Sequence, residues 1–226
     1  MATPGLDEIV QWDIRNWSKA LPFWQKFISK EKTLNCLAIG EREGGLALWL
    51  ALQGHQVTCS DLKDTEKTAS PLHNKYGVKD KVSYLDMDAT QIPAENQFDL
   101  IVFKSILGGV GHNDQKHLQE KALHEMYKAL KPGGILLFAE NLSGSALHRY
   151  LRKKYIKWGG KWRYVSKSEL KEMLSPFSTL HLSTYGLIAT FGRSEAQRNM
   201  LGAFDSMLTP LTPSAWHYIC FGAAIK

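Results

Sequence analysis

Several short stretches carry residues whose types and spacing suit a nucleotide-like ligand. Gly40-Glu41-Arg42-Glu43-Gly44-Gly45 sets three charged side chains between glycines, after the apolar run LNCLAI (34–39). Asp61 follows a second apolar run, Asp88-Ala89 a third, and Lys104-Ser105 a fourth. Glycine in such a turn ordinarily lets backbone press against the ligand. A carboxylate at Asp61 can accept both hydroxyl protons of a ribose, and Asp88 beside Ala89 can take an adenine amino group. Leu62 adjoins the first of these, and Lys104 and Ser105 line the pocket. A helix starting near Gly44 adds exposed amides and the positive end of its dipole.

The loop separates two ligand classes. A dinucleotide fingerprint has glycine at its middle position, so that the pyrophosphate touches backbone. Here that position is Arg42, flanked by Glu41 and Glu43. Two acids repel a pyrophosphate but suit a ligand with an ammonium group and a positive sulfonium, which describes S-adenosylmethionine. Asp61 does not discriminate, because NAD also carries a ribose.

These residues need a scaffold that brings strand ends together. Strand runs are expected at 34–39, 56–60, 81–86, 98–103 and 135–140, with helices at 45–54, 64–76 and from an N-cap at Asp114 to a stop at KPGG. Continuous apolar strands alternating with helices read as a parallel sheet covered on both faces. Two later strand runs, 178–186 and 216–225, flank a helical stretch at 194–208, and a further helix is expected near 166–175. The expected fold is α/β: a doubly wound, mostly parallel seven-stranded sheet with an antiparallel last strand. An N-terminal helical segment over 6–30, broken at Pro22, and an inserted basic and aromatic cover complete it. One domain over 1–226 is expected, with a helical cap over 1–32 and a cofactor-binding core over 33–140. The cover then spans 141–175, and strands and a helix fill 176–226.

Composition bounds the function. Hydrophobic residues make up 44% and charged residues 22%, ordinary for a globular protein, and no apolar run approaches the ~20 residues of a membrane span. The N-terminus lacks a secretory pattern, and Cys36, Cys59 and Cys220 each sit in an apolar run with no CxxC spacing. Buried free thiols and a cytoplasmic location are expected. The formal net charge is +6, and 149–167 is crowded with Lys and Arg without an acid. That stretch is either solvated surface or a face for something anionic.

The ordered set LAIGEREGG, VTCSDL, LDMDATQIP, FDLIVFKSILGGVG and MYKALKPGGILLFAE resembles the class I S-adenosylmethionine-dependent methyltransferases across residues 33–140. The resemblance implies that Gly40 and Gly44 border the methionine part and that Asp61 binds the ribose. It also implies that Asp88 and Ala89 flank the adenine and that Lys104 lies near the sulfur. Two positions depart from the pattern: Ala38 stands where the family often has an acid, and Arg42 where it has a glycine. Glu41 or Glu43 is then the substitute partner for the ammonium group.

Methyl transfer requires alignment and sometimes a base. His112 and His148 are the candidate catalytic residues, with Asn113, Asn141 and Ser143 as other polar groups on the same loops; His117 and His124 read as structural or exposed. No metal is implied. Trp162 and Tyr164 are expected to pack or cover the acceptor, beneath segments 6–30 and 141–168. The expected acceptor is a small molecule, anionic or amphipathic. A lipid headgroup or a nucleic acid is the alternative acceptor, the nucleic acid being disfavoured because no recognition module is legible, and a membrane surface is left open. A non-catalytic S-adenosylmethionine-binding protein, favoured by Ala38 and Arg42, and an NAD-dependent oxidoreductase are the competing readings. Oligomeric state is not legible.

Overall fold

The apolar runs form seven strands in this computed structural model, which describes residues 3–29, 31–156 and 161–226. They are β1 Asn35–Ile39, β2 Gln56–Asp61, β3 Val82–Asp86, β4 Phe98–Lys104, β5 Leu130–Asn141, β6 Thr179–Tyr185 and β7 Ile219–Ile225. Their order is β3-β2-β1-β4-β5-β7-β6. The first five pair in parallel, and β7 runs antiparallel to both β5 and β6. Along β4, Leu100 and Val102 bury against one helical layer and Ile101 and Phe103 against the other. Both faces are covered, which is why this strand reads as an unbroken apolar run.

The helices are α1 Leu6–Val10, α2 Ile14–Trp17, α3 Ala20–Trp24, α4 Gly45–Leu52, α5 Thr65–Lys75, α6 Leu107–Val110, α7 Lys116–Ala129, α8 Ala146–Tyr155, α9 Lys167–Met173 and α10 Glu195–Leu208. Several boundaries differ from expectation. The N-terminal segment is three short helices, α1 and α2 parted at Gln11 and Asp13 (φ +67° and +46°) and α2 and α3 at Ser18 and Lys19, with no break at Pro22. Pro22 lies in the first turn of α3, where a missing N–H leaves no hydrogen bond broken. The break at Asp13 is held from afar: Glu195 accepts the Asp13 and Ile14 amides at 3.0 and 2.7 Å. Asp114 does not cap α7, because its φ is +63° and its carboxylate pairs with Arg163 at 3.0 Å. KPGG lies inside β5, which begins at Leu130 beside Phe98. The cover contains a helix that was not expected, α8, capped by Ser145, whose hydroxyl accepts from the His148 amide at 3.1 Å. The three cysteines are buried and free, and burial pushes the Cys220 thiol up to about 12.

A buried polar chain ties the N-terminal helices to the C-terminal half. Tyr218 donates its hydroxyl to Asp13, and the Asn16 amide donates to Tyr218 and to Asp205, both at 2.8 Å. Asp205 also accepts the Ile188 and Ala189 amides at 2.9 and 3.1 Å. Removing this carboxylate would take an acceptor from the buried Asn16 amide and Ala189 N–H and from the part-buried Ile188 N–H. Asp205→Ala is expected to lower unfolding free energy by about 3 kcal/mol in urea titration. A loss under about 1 kcal/mol would mean that water or a neighbour replaces it.

Candidate active site

The loop between β1 and α4 is held by the strand beside it. Gly40 and Glu41 donate their amides to the Ser60 carbonyl at 2.9 and 3.1 Å. Asp61, at the end of β2, accepts the Arg42 and Leu62 amides, both at 2.7 Å. Each carboxylate oxygen keeps a further lone pair for a ligand hydroxyl. The glycines answer to protein packing. A Cβ on Gly40 would stand 2.3 Å from an Ile106 methyl, one on Gly44 2.6 Å from His73 Nε2, and one on Gly45 2.3 Å from the Ile9 carbonyl oxygen. Gly40 and Gly44 also have φ of +69° and +81°. Close approach of a ligand is therefore not what fixes glycine at 44 and 45. Helices α5 and α1 are.

Glu41 is turned inward and buried, and it accepts the Ala47 amide at 2.9 Å. It thereby caps the first turn of α4. Burial raises its pKa to about 7, against the pull of the Ala47 and Leu46 amides and the charge of Lys104. The amides that a pyrophosphate would need are partly taken by the chain's own carboxylate.

Lys104 closes β4 with its ammonium 5.1 Å from the Trp12 ring and 4.8 Å from that of Trp17. Burial pulls its pKa down to about 8, while Glu41, Glu140 and Asp13 pull it back up. Glu140, on β5, is fully buried and accepts the Leu107 and Asn141 amides at 2.8 Å each; burial raises it to about 7. Asn141 donates to the Ser105 hydroxyl at 2.6 Å.

Some of these groups border a cavity of about 520 Å³ at the carboxyl ends of β1 and β4, with Glu140 and Asn141 behind its wall. Gly40, Glu41 and Arg42 form one side, and Lys104 and Ser105 another. Gln11 and Trp12 enter from the N-terminal segment, Thr190 and Arg198 from the C-terminal half, and Trp162 from the cover. The indole of Trp162 lies against the backbone of α6, where a Cβ on Gly108 would fall 1.6 Å from its ring nitrogen.

Of the expected cofactor residues, Gly40, Glu41, Lys104 and Ser105 therefore share the cavity wall. Glu43 and Gly44 do not line it: Glu43 is exposed, and the Gly44 carbonyl bonds His73 at 2.9 Å. Asp61, Leu62, Asp88 and Ala89 lie beyond the cavity at the ends of β2 and β3. Leu62 is 69% exposed there, and Asp88 accepts the Thr90 amide at 2.8 Å.

Neither candidate histidine reaches the cavity. His112 sits past α6, with its carbonyl accepting from the Gln115 side chain at 2.9 Å. His148 is 3% exposed, stacked 5.4 Å from the Tyr218 ring, and pushed down to about 3 by burial and by Arg152. It is a neutral packing residue. Arg198, Thr190 and Glu140 were not foreseen. Glu140 had a readable sign, an acid ending an otherwise apolar strand, whereas Arg198 belongs to an ordinary amphipathic helix pattern. Among the described residues no cluster of His, Cys, Asp and Glu could hold a metal ion.

Residues 37–138 match the family described as "Methyltransferase domain". The match supports the resemblance of residues 33–140 to the class I S-adenosylmethionine-dependent methyltransferases. The ubiquinone/menaquinone biosynthesis C-methyltransferase UbiE of Psychromonas ingrahamii is 38% identical over 90 residues, which are 39% of this chain and 34% of that protein. The tRNA 5-carboxymethoxyuridine methyltransferase of Escherichia coli is 29% identical over 153 residues, 63% of this chain and 52% of that one. The chain thus matches between about a third and half of the length of these relatives. Among solved structures, phosphoethanolamine N-methyltransferase 2 of Haemonchus contortus, in complex with phosphomonomethylethanolamine and S-adenosylhomocysteine, has the same fold. Its TM-score is 0.65 at 19% identity, covering 93% of this chain and 52% of that one. A tRNA methyltransferase among the relatives leaves the expectation against a nucleic-acid acceptor without support.

Arg42 stands in the left-handed backbone region that favours glycine, with φ +47°. A side chain there costs on the order of 1 kcal/mol. Arg42→Gly should leave unfolding free energy unchanged or raise it by up to about 1 kcal/mol in denaturant titration. A clear destabilisation would show that the arginine side chain holds the loop.

Proposed function

We propose that the protein binds S-adenosylmethionine and transfers its methyl group to a small anionic acceptor. The observation that carries this reading is Glu41, a buried carboxylate seated on the first turn of α4 and facing the cavity. It disfavours a pyrophosphate at the helix terminus and supports a cationic ligand, which argues against the NAD reading. The cavity volume of about 520 Å³ falls in the range of ordinary ligand pockets.

The residues present fit the cofactor. Asp61 retains free lone pairs for ribose hydroxyls, Asp88 and Ala89 adjoin it for the adenine, and Glu41 and the Gly40 backbone serve the methionine end. S-adenosylmethionine supplies, when bound, a methyl group already activated by the positive sulfur. The chain's contribution is alignment and charge. Gln11, Trp12, Trp162 and Arg198 enclose the acceptor side and exclude water. No histidine lines the cavity; Lys104, drawn down to about 8, and Glu41, raised to about 7, are the cavity groups suited to exchange a proton near neutral pH. Arg198 and Arg42 on the wall, with the cations of 149–167, favour an acceptor bearing negative charge.

The test is calorimetry with S-adenosylhomocysteine and NAD, followed by turnover. The chain should bind S-adenosylhomocysteine and not NAD. Asp61→Ala should weaken that binding by roughly ten- to a hundred-fold, the loss of a charged partner to hydroxyls. Binding of NAD with no response to S-adenosylhomocysteine would overturn the proposal. S-adenosylhomocysteine binding without turnover on any acceptor would favour a non-catalytic binder instead.

A further inference from the structure

A second cleft, of about 410 Å³, lies on the far side of Trp162, which lines both it and the cofactor cavity. Its walls come from α8 and the segment 161–164. The central group is Arg152, 3% exposed. Its Nη1 donates to the Leu142 carbonyl at 2.6 Å, and its guanidinium lies 3.9 Å over the Tyr164 ring. Its Nη2 is buried without a hydrogen-bond acceptor, and so is the Tyr164 hydroxyl. No carboxylate stands within 4.0 Å of Arg152, Arg149 or Lys153 among the described residues. The acid on the cleft wall, Asp114, is already paired with Arg163, which also holds Glu169 at 2.6 Å.

A buried arginine normally keeps a carboxylate or several acceptors, because an uncompensated buried charge is costly. Here burial pulls its pKa down to about 10, while Tyr164, Tyr218 and the more distant Glu140 pull it back up, so it remains charged near neutral pH. The exposed Arg149 and Lys153 add positive charge at the rim. A buried guanidinium edge, a tyrosine hydroxyl and two rim cations outnumber what a lone carboxylate uses. They match the several acceptor oxygens of a phosphate.

We propose that this cleft binds the phosphate of a small phosphomonoester acceptor. The acceptor role and the reacting centre rest on the methyltransferase reading; the anion site itself does not. Trp162 then stands between the phosphate and the reacting centre, so the phosphate anchors the molecule and its nucleophile passes the indole into the cofactor cavity. The cluster thereby acts in positioning, away from the transferred methyl.

The test is titration of the full chain with inorganic phosphate, followed by calorimetry and tryptophan fluorescence, alongside S-adenosylhomocysteine in the same preparations. Wild type should bind phosphate saturably at one site. Arg152→Met should weaken that binding by about ten-fold or more, the loss of a charge-assisted hydrogen bond. Because a buried substitution can disturb folding, Arg149→Gln and Lys153→Gln provide exposed variants, and each should weaken phosphate binding several-fold. All three variants should keep wild-type affinity for S-adenosylhomocysteine. No saturable phosphate binding, or undiminished binding in the Arg149→Gln, Lys153→Gln double variant, would overturn the proposal. So would a short oligoribonucleotide that displaces phosphate far more effectively than a small phosphomonoester does, since it would assign the cleft to nucleic acid. Phosphate binding that persists where wild type fails to bind S-adenosylhomocysteine would uphold the anion site and count against the methyltransferase reading alone.

Discussion

A carboxylate buried at the start of the first crossover helix governs the site. Glu41 accepts the Ala47 amide from α4, and its own backbone is tied to Ser60 and Gly44. Burying an acid is unfavourable unless amides or a cation compensate it. Glu41 has the amides of α4 and the nearby charge of Lys104. That arrangement converts a helix N-terminus, by default an anion site, into a place for positive charge. The same burial brings Glu41 and Lys104 toward neutral pH, so the cavity holds groups that can exchange protons where most side chains are fixed in charge, and Glu140 behind it is raised likewise.

The periphery serves that centre. Trp12 and Trp17 cover Lys104 because the N-terminal segment turns at Gln11 and Asp13, and that turn is secured by Glu195 and by the Asp13–Tyr218–Asn16–Asp205 chain. Helix α10 provides both Glu195 and Asp205 and carries Arg198 to the cavity. The cap and the C-terminal half are thus one polar structure, closing over strand ends that belong to the central sheet. Its stability and the shape of the cavity wall formed by Gln11, Trp12 and Arg198 are linked.

The sheet was legible because buried parallel strands must be apolar on both faces, and LNCLAI and FDLIVF announce this without any long-range information. Asp61 and Lys104 were legible because a charged residue that ends such a run has to lie at the sheet's carboxyl edge. The short N-terminal helices were not, since their breaks depend on Glu195, far away in sequence. His148 looked like a base in a loop, but Ser145 starts a helix there and Tyr218 and Phe191 enclose the ring. The glycines of the first loop were attributed to a ligand, whereas Ile106, His73 and Ile9 occupy the space that a Cβ would need. Spacing predicts which residues reach the strand ends. It cannot tell which of them a distant element then buries.

The most direct measurement is proton release on cofactor binding. S-adenosylmethionine would be titrated into the full chain at about pH 7, close to the raised pKa of Glu41, in two buffers of different ionisation enthalpy. A sulfonium near the cavity favours deprotonated Glu41 and Lys104, so binding should release protons and the heat should depend on the buffer. The release should fall in Glu41→Gln, and it should be smaller for S-adenosylhomocysteine, whose sulfur is neutral. Equal heats in both buffers for the wild-type protein, with binding intact, would contradict a cavity organised around the buried carboxylate.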